Sequence, residues 1–131
     1  MTSTKPQWKK RVDIFRYIYS TNMFEQISAD EIKKNAFENH LFDVDQMKVI
    51  EYFADHREEI TKQIKDNLAE GWTLERIPQV DKAVLMTAYA EFKTLSIERK
   101  IVIDQAIVTT KHFADPSSTK YINAILDKII K

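Results

Sequence analysis

Cysteine is absent from the 131 residues. That excludes a disulfide framework, cysteine-ligated metals and thiol catalysis, and it fits a reducing cytoplasm. Glycine occurs once, at Gly71, and proline three times, at Pro6, Pro78 and Pro116. So few turn formers argue against a β-rich fold. One glycine also rules out a glycine-rich phosphate loop and a Gly-x-Ser-x-Gly nucleophile elbow. No apolar run approaches the roughly 18 residues of a membrane span. The N-terminus, MTSTKPQWKK, lacks the apolar stretch of a signal peptide. These absences predict a cytoplasmic protein with no membrane association.

What is present describes a folded domain. Hydrophobic residues make up 44% of the chain and charged residues 31%, enough for one core spanning residues 1–131. The net charge of zero is unevenly spread. Residues 1–20 carry five basic groups against one acidic, residues 21–75 six against thirteen, and residues 76–131 nine against six. Such a layout favours an anionic partner at one end and a cationic one in the middle.

Helical periodicity runs almost throughout. Ser28 and Asp43, each followed three residues later by Glu31 and Gln46, have the spacing of capping boxes. They predict a short helix near 29–39 and a long one near 44–69, stopped at Gly71 by a left-handed cap. Ile50, Phe53, Ile60, Ile64 and Leu68 mark the buried side of the long helix, with DHREE (55–59) wet. Further helices are expected near 79–94, after a proline start, and near 98–113. Tyr121, Ile122, Ile125, Leu126, Ile129 and Ile130 form one broad stripe on a last helix begun by Pro116 and Ser117 or Ser118. The sum is an all-α domain of six or seven helices.

Chemistry is harder to find. His40, His56 and His112 are scattered. His56 lies beside Asp55, Glu58 and Glu59 but lacks the spacing of a zinc motif, so a solvated helix face explains it. Asp43 and Asp45 read as helix capping before acid–base machinery. No catalytic residue, metal site or cofactor is expected. That leaves binding, and QWKKRVDIFRYIY (7–19) admits two readings. Trp8, Val12, Phe15 and Tyr19 share a stripe with Ile18 beside it, as a core-facing helix would have. Lys9 and Arg16 follow one edge and Arg11 the other, as a phosphate-binding surface with an edge aromatic would have.

A more specific signal lies downstream. Trp72 to Ile77 (WTLERI), Val80 to Leu85 (VDKAVL), Glu91-Phe92, Ile103 to Ile107 (IDQAI) and Lys120 to Leu126 (KYINAIL) occur in that order. In this pattern residues 68–131 resemble the bacterial transcription antitermination factor NusB family. The N-terminus matches more loosely, with Arg11 at the last arginine of a basic run and Tyr19 at the family's tyrosine. Departures are visible. Asp104-Gln105 stands for Asn-Glu, Arg16 for glutamine and Ala90 for tyrosine. Ala124 stands for a glycine, where it is expected to widen a helix–helix contact slightly.

The resemblance implies two small helical bundles that bind boxA, a short single-stranded RNA element of nascent transcripts, notably ribosomal RNA. It implies joint action with NusE, a small-subunit ribosomal protein, and loading onto the RNA polymerase antitermination complex. The RNA-binding candidates are Lys5, Lys9, Lys10, Arg11, Arg16, Tyr19 and Tyr121. Tyr121 stands where the family has phenylalanine. Partner-protein candidates are the acidic middle with Glu75, Asp81 and Glu91. Two alternatives stay open: a helical protein-interaction adaptor, and the RNA-positioning module that accompanies some ribosomal RNA methyltransferases. With the sequence ending at Lys131, no methyltransferase domain is expected. Monomer and homodimer are equally compatible with the sequence.

Overall fold

The computed structural model describes residues 7–24 and 26–131, and every structural statement below concerns those residues. Seven α-helices follow in order: α1 Gln7–Asn22, α2 Ala29–Asn39, α3 Val44–Asp55, α4 Arg57–Asp66, α5 Gln79–Thr94, α6 Arg99–Phe113 and α7 Thr119–Ile129. Single 3-10 turns at Leu74–Arg76 and Pro116–Ser118 precede α5 and α7. The described residues contain no strand.

Local chemistry sets the helix starts. The Glu31 amide donates to the Ser28 hydroxyl at 3.1 Å, satisfying one open donor of α2. At α3 the capping box is complete. The Gln46 amide donates to Asp43 Oδ1 at 2.8 Å, and the Asp43 amide donates to Gln46 Oε1 at 2.9 Å. Asp115 accepts from the Ser117 amide at 3.0 Å and so begins the turn into α7.

The expected long helix over 44–69 is instead two helices that meet at His56, whose ψ of 23° leaves helical geometry. No proline or glycine marks the break. His56 directs both its amide and Nδ1 at the Tyr52 carbonyl, each at 2.9 Å. Arg57 lies over Phe53, 5.7 Å from the ring centroid, and reaches the carbonyls of Thr21 and Ile27. Tertiary contacts therefore bend the chain where periodicity reads straight through. Gly71 does adopt the left-handed conformation (φ 86°), but in the loop beyond α4, which ends at Asp66.

Helix α5 is buried nearly all round from Asp81 to Glu91, as an apolar, alanine-rich helix should be. It packs against α1, α3, α4, α6 and α7. One bundle is α1 and α3 against α5 with α2 packed on α3; the other is α4, α6 and α7 against α5. Phe53, Ile18, Leu85 and Leu126 are wholly enclosed, each worth about 1.5–3 kcal/mol of hydrophobic stabilisation. On α7 Ile122, Ile125, Leu126 and Ile129 are buried, with Ile130 just past its end, as the stripe predicts. Ala124 is exposed, so alanine at that position widens no helix contact. No helix is long and apolar enough to cross a membrane.

The buried arc of α1 is wider than one stripe. Ile14 and Tyr17 are buried along with Val12, Phe15 and Ile18. The Tyr17 hydroxyl donates to the Ile32 carbonyl at 2.6 Å and accepts from Asn35 Nδ2 at 3.1 Å, which fastens α1 to α2. Helix α1 is wedged between neighbours on two sides, and that decides which of its charges reach solvent.

Candidate nucleic-acid interface

Of the predicted RNA contacts, Lys5 lies outside the described residues. The other four basic residues divide into two pairs. Lys10 forms an ion pair with Asp43 at 2.9 Å, its side chain only 12% exposed. The Lys10 carbonyl also accepts from Gln46 Nε2 at 3.2 Å. Burial pushes the Asp43 carboxyl up, but the Gln46 amide and the Lys10 ammonium outweigh it and hold the group below its ordinary value. Lys10 thus ties α1 to the cap of α3.

Arg11 points into the fold. Its Nε donates to Glu91 Oε1 at 2.7 Å, with the two side chains 14% and 6% exposed. Burial raises the Glu91 carboxyl above its ordinary value, and the Arg11 guanidinium only partly opposes the shift. The crevice around this pair is lined by Phe15, Thr87 and Gln105. Here the exchange at Asp104-Gln105 has a consequence. The amide faces the crevice and the acid faces solvent, so Glu91 has no second carboxylate from position 105 beside it.

Lys9 and Arg16 face outward and have no ion pair among the described residues. They flank the seam where α1 meets the end of α6. Trp8 packs on His112 (centroids 4.9 Å apart), Phe15 on Phe113 (5.3 Å), and the Arg16 guanidinium lies 5.3 Å from the Phe113 centroid. Lys111 and His112 are exposed on the same end of α6. Tyr19 is half-buried, its ring 6.5 Å from that of Phe15. The seam therefore carries exposed cations beside aromatic rings, the two ingredients of single-strand binding. Lys111, His112 and Phe113 were absent from the predicted set. Sequence could not show that the end of α6 borders α1.

Tyr121 lies elsewhere, half-buried at the start of α7, with its ring stacked on Trp72 at 5.5 Å and 28°. Of the three partner contacts predicted by name, Glu75, Asp81 and Glu91, only Glu75 is exposed. Asp81 is 1% exposed and Glu91 4%. Burial raises the Asp81 carboxyl. Neither Asp81 oxygen has a hydrogen bond of good geometry, although the nearby Ser118 hydroxyl favours the charged form. Both acids sit inside the bundles. No group of three His, Cys, Asp or Glu residues suited to a metal occurs among the described residues.

Comparison with known proteins agrees over nearly the whole chain. Residues 9–131 match the NusB family model. The transcription antitermination protein NusB of Lactiplantibacillus plantarum is 25% identical over 135 residues, covering 92% of this chain and 97% of that one. That of Borreliella burgdorferi is 29% identical over 130 residues, covering 92% and 91%. The solved structure of T. maritima NusB superposes with a TM-score of 0.79 at 25% identity, covering 98% of this chain and 92% of that one. With its seven helices matching that fold, the chain is a member of the NusB family, and its relatives from Lactiplantibacillus plantarum and Borreliella burgdorferi are transcription antitermination proteins.

Proposed function

We propose that this protein is a cytoplasmic antitermination factor that binds boxA single-stranded RNA with NusE and acts on RNA polymerase, notably during ribosomal RNA transcription. One observation carries the RNA part. Arg16 is exposed over the Phe113 ring, and Lys9 is exposed seven residues before it on the same helix, next in sequence to Trp8, which packs on His112. Cations supply phosphate attraction there and rings supply faces for unpaired bases. Lys10 and Arg11 act one step back, by holding α1 in place. A mobility shift with a boxA oligonucleotide, with and without NusE, tests the reading. Binding strengthened by NusE supports it, and no shift at any protein concentration removes it.

The partner contact is assigned to the exposed acids of the middle segment, with Glu58, Glu59 and Glu75 as its representatives. Asp81 and Glu91, being buried, support the fold instead. Alanine at all three exposed acids is expected to weaken NusE binding and to leave RNA binding by the protein alone intact. Unchanged NusE affinity would place the contact elsewhere.

A further inference from the structure

Trp72 is an exposed aromatic that belongs neither to the core nor to the α1–α6 seam. It follows Gly71, whose left-handed backbone turns the chain, and its amide donates to the Ala69 carbonyl at 3.0 Å. The ring is therefore carried on a closed turn. It remains 46% exposed, a large indole surface left in water. Its ring contact is with Tyr121, offset-stacked at 5.5 Å and 28°. Tyr121 packs against the core, so its ring backs the indole from within. Arg76 and Lys120 are exposed close by in sequence, but so are Glu70 and Glu75. Opposite charges balance here, and what the spot offers a ligand is a ring face. Its position matters too. Phe113 ends α6 and Tyr121 lies in the first turn of α7, so the stack and the Arg16–Phe113 edge border the same short connection.

We propose that Trp72 is a stacking platform for an unpaired RNA base, with Tyr121 as its backing ring. This rests on the RNA-binding reading above and divides the labour within it. Lys9 and Arg16 hold phosphates; Trp72 holds a base further along the strand. Stacking of one base involves no released counterion, unlike a phosphate contact. Trp72→Ala should therefore weaken binding of a boxA oligonucleotide about tenfold, with the slope of log affinity against log salt unchanged. Trp72→Phe, which keeps a ring, should bind within about threefold of the parent. RNA should quench tryptophan emission less in Trp72→Phe than in the parent protein, with the remaining quenching coming from Trp8. Circular dichroism of both variants checks that the helices are intact. If Trp72→Ala binds as tightly as the parent, or if Trp72→Phe loses as much as Trp72→Ala, the platform is overturned and the RNA-binding reading stands. If the unaltered protein itself binds no single-stranded RNA, both fall together.

Discussion

Arg11 and Arg16 occupy the same helix, five positions apart, and do different work. On the flank that faces α3 and α5, both cations are consumed by the fold: Lys10 by Asp43 and Arg11 by Glu91. On the flank that faces α6, Lys9 and Arg16 stay in solvent beside Phe113, Trp8 and His112. A basic run in sequence is thus two devices in space. Exposed ion pairs contribute little, whereas leaving one member of a buried pair alone is costly. The inner flank should therefore govern stability and the outer flank should govern binding.

The largest effect expected from this division is on Arg11→Ala, which strands Glu91 and should cost about 3–5 kcal/mol in urea unfolding. Arg16→Ala loses one cation–π contact and should cost under about 1 kcal/mol. Comparable losses for the two would break the comparison. The Arg11→Ala deficit should also depend on pH. Burial already raises the Glu91 carboxyl, and removing the guanidinium takes away the opposing pull. A group with a raised folded-state pKa regains stability as it takes up its proton. The deficit should shrink as pH falls from neutral towards the ordinary carboxylate value of 4.5, and Arg16→Ala should show no such trend.

Asp43→Ala removes both the α3 cap and the partner of Lys10, and should cost about 1 kcal/mol in the same unfolding measurement. The finest test compares two adjacent lysines. Lys9→Ala should lower the salt slope of single-strand RNA binding by about 0.7 for its lost phosphate contact, and Lys10→Ala should leave it alone. Equal slopes for the two variants would mean that the flanks are not separate for RNA.

Much of the architecture can be read in the chain. Helix positions, the two cap spacings and the last apolar stripe emerge from residue periodicity because each depends on neighbours within a turn or two. The break at His56 does not, because Arg57's reach to the carbonyls of Thr21 in α1 and Ile27 in the following loop imposes it from outside the helix. The site was half legible for the same reason. Helical phase placed Lys9 and Arg16 on one edge correctly. It could not reveal that Arg11 meets a carboxylate 80 positions away, or that α6 supplies His112 and Phe113 to the same seam. Asp81 and Glu91 read as surface acids because charge usually lies outside, and burial next to α5's neighbours reverses that expectation.

The sharing of α5 by both bundles has a consequence for how the molecule opens. Neither bundle owns a core of its own, so neither can melt and leave the other with its buried face covered. Unfolding should be a single concerted event, with the calorimetric and van't Hoff enthalpies equal. The amides of α5 should exchange with solvent only through that global opening, while those at the end of α2 exchange through local fraying. Helix α5 is the keystone common to two arches, and the chain stands or falls on it as a whole.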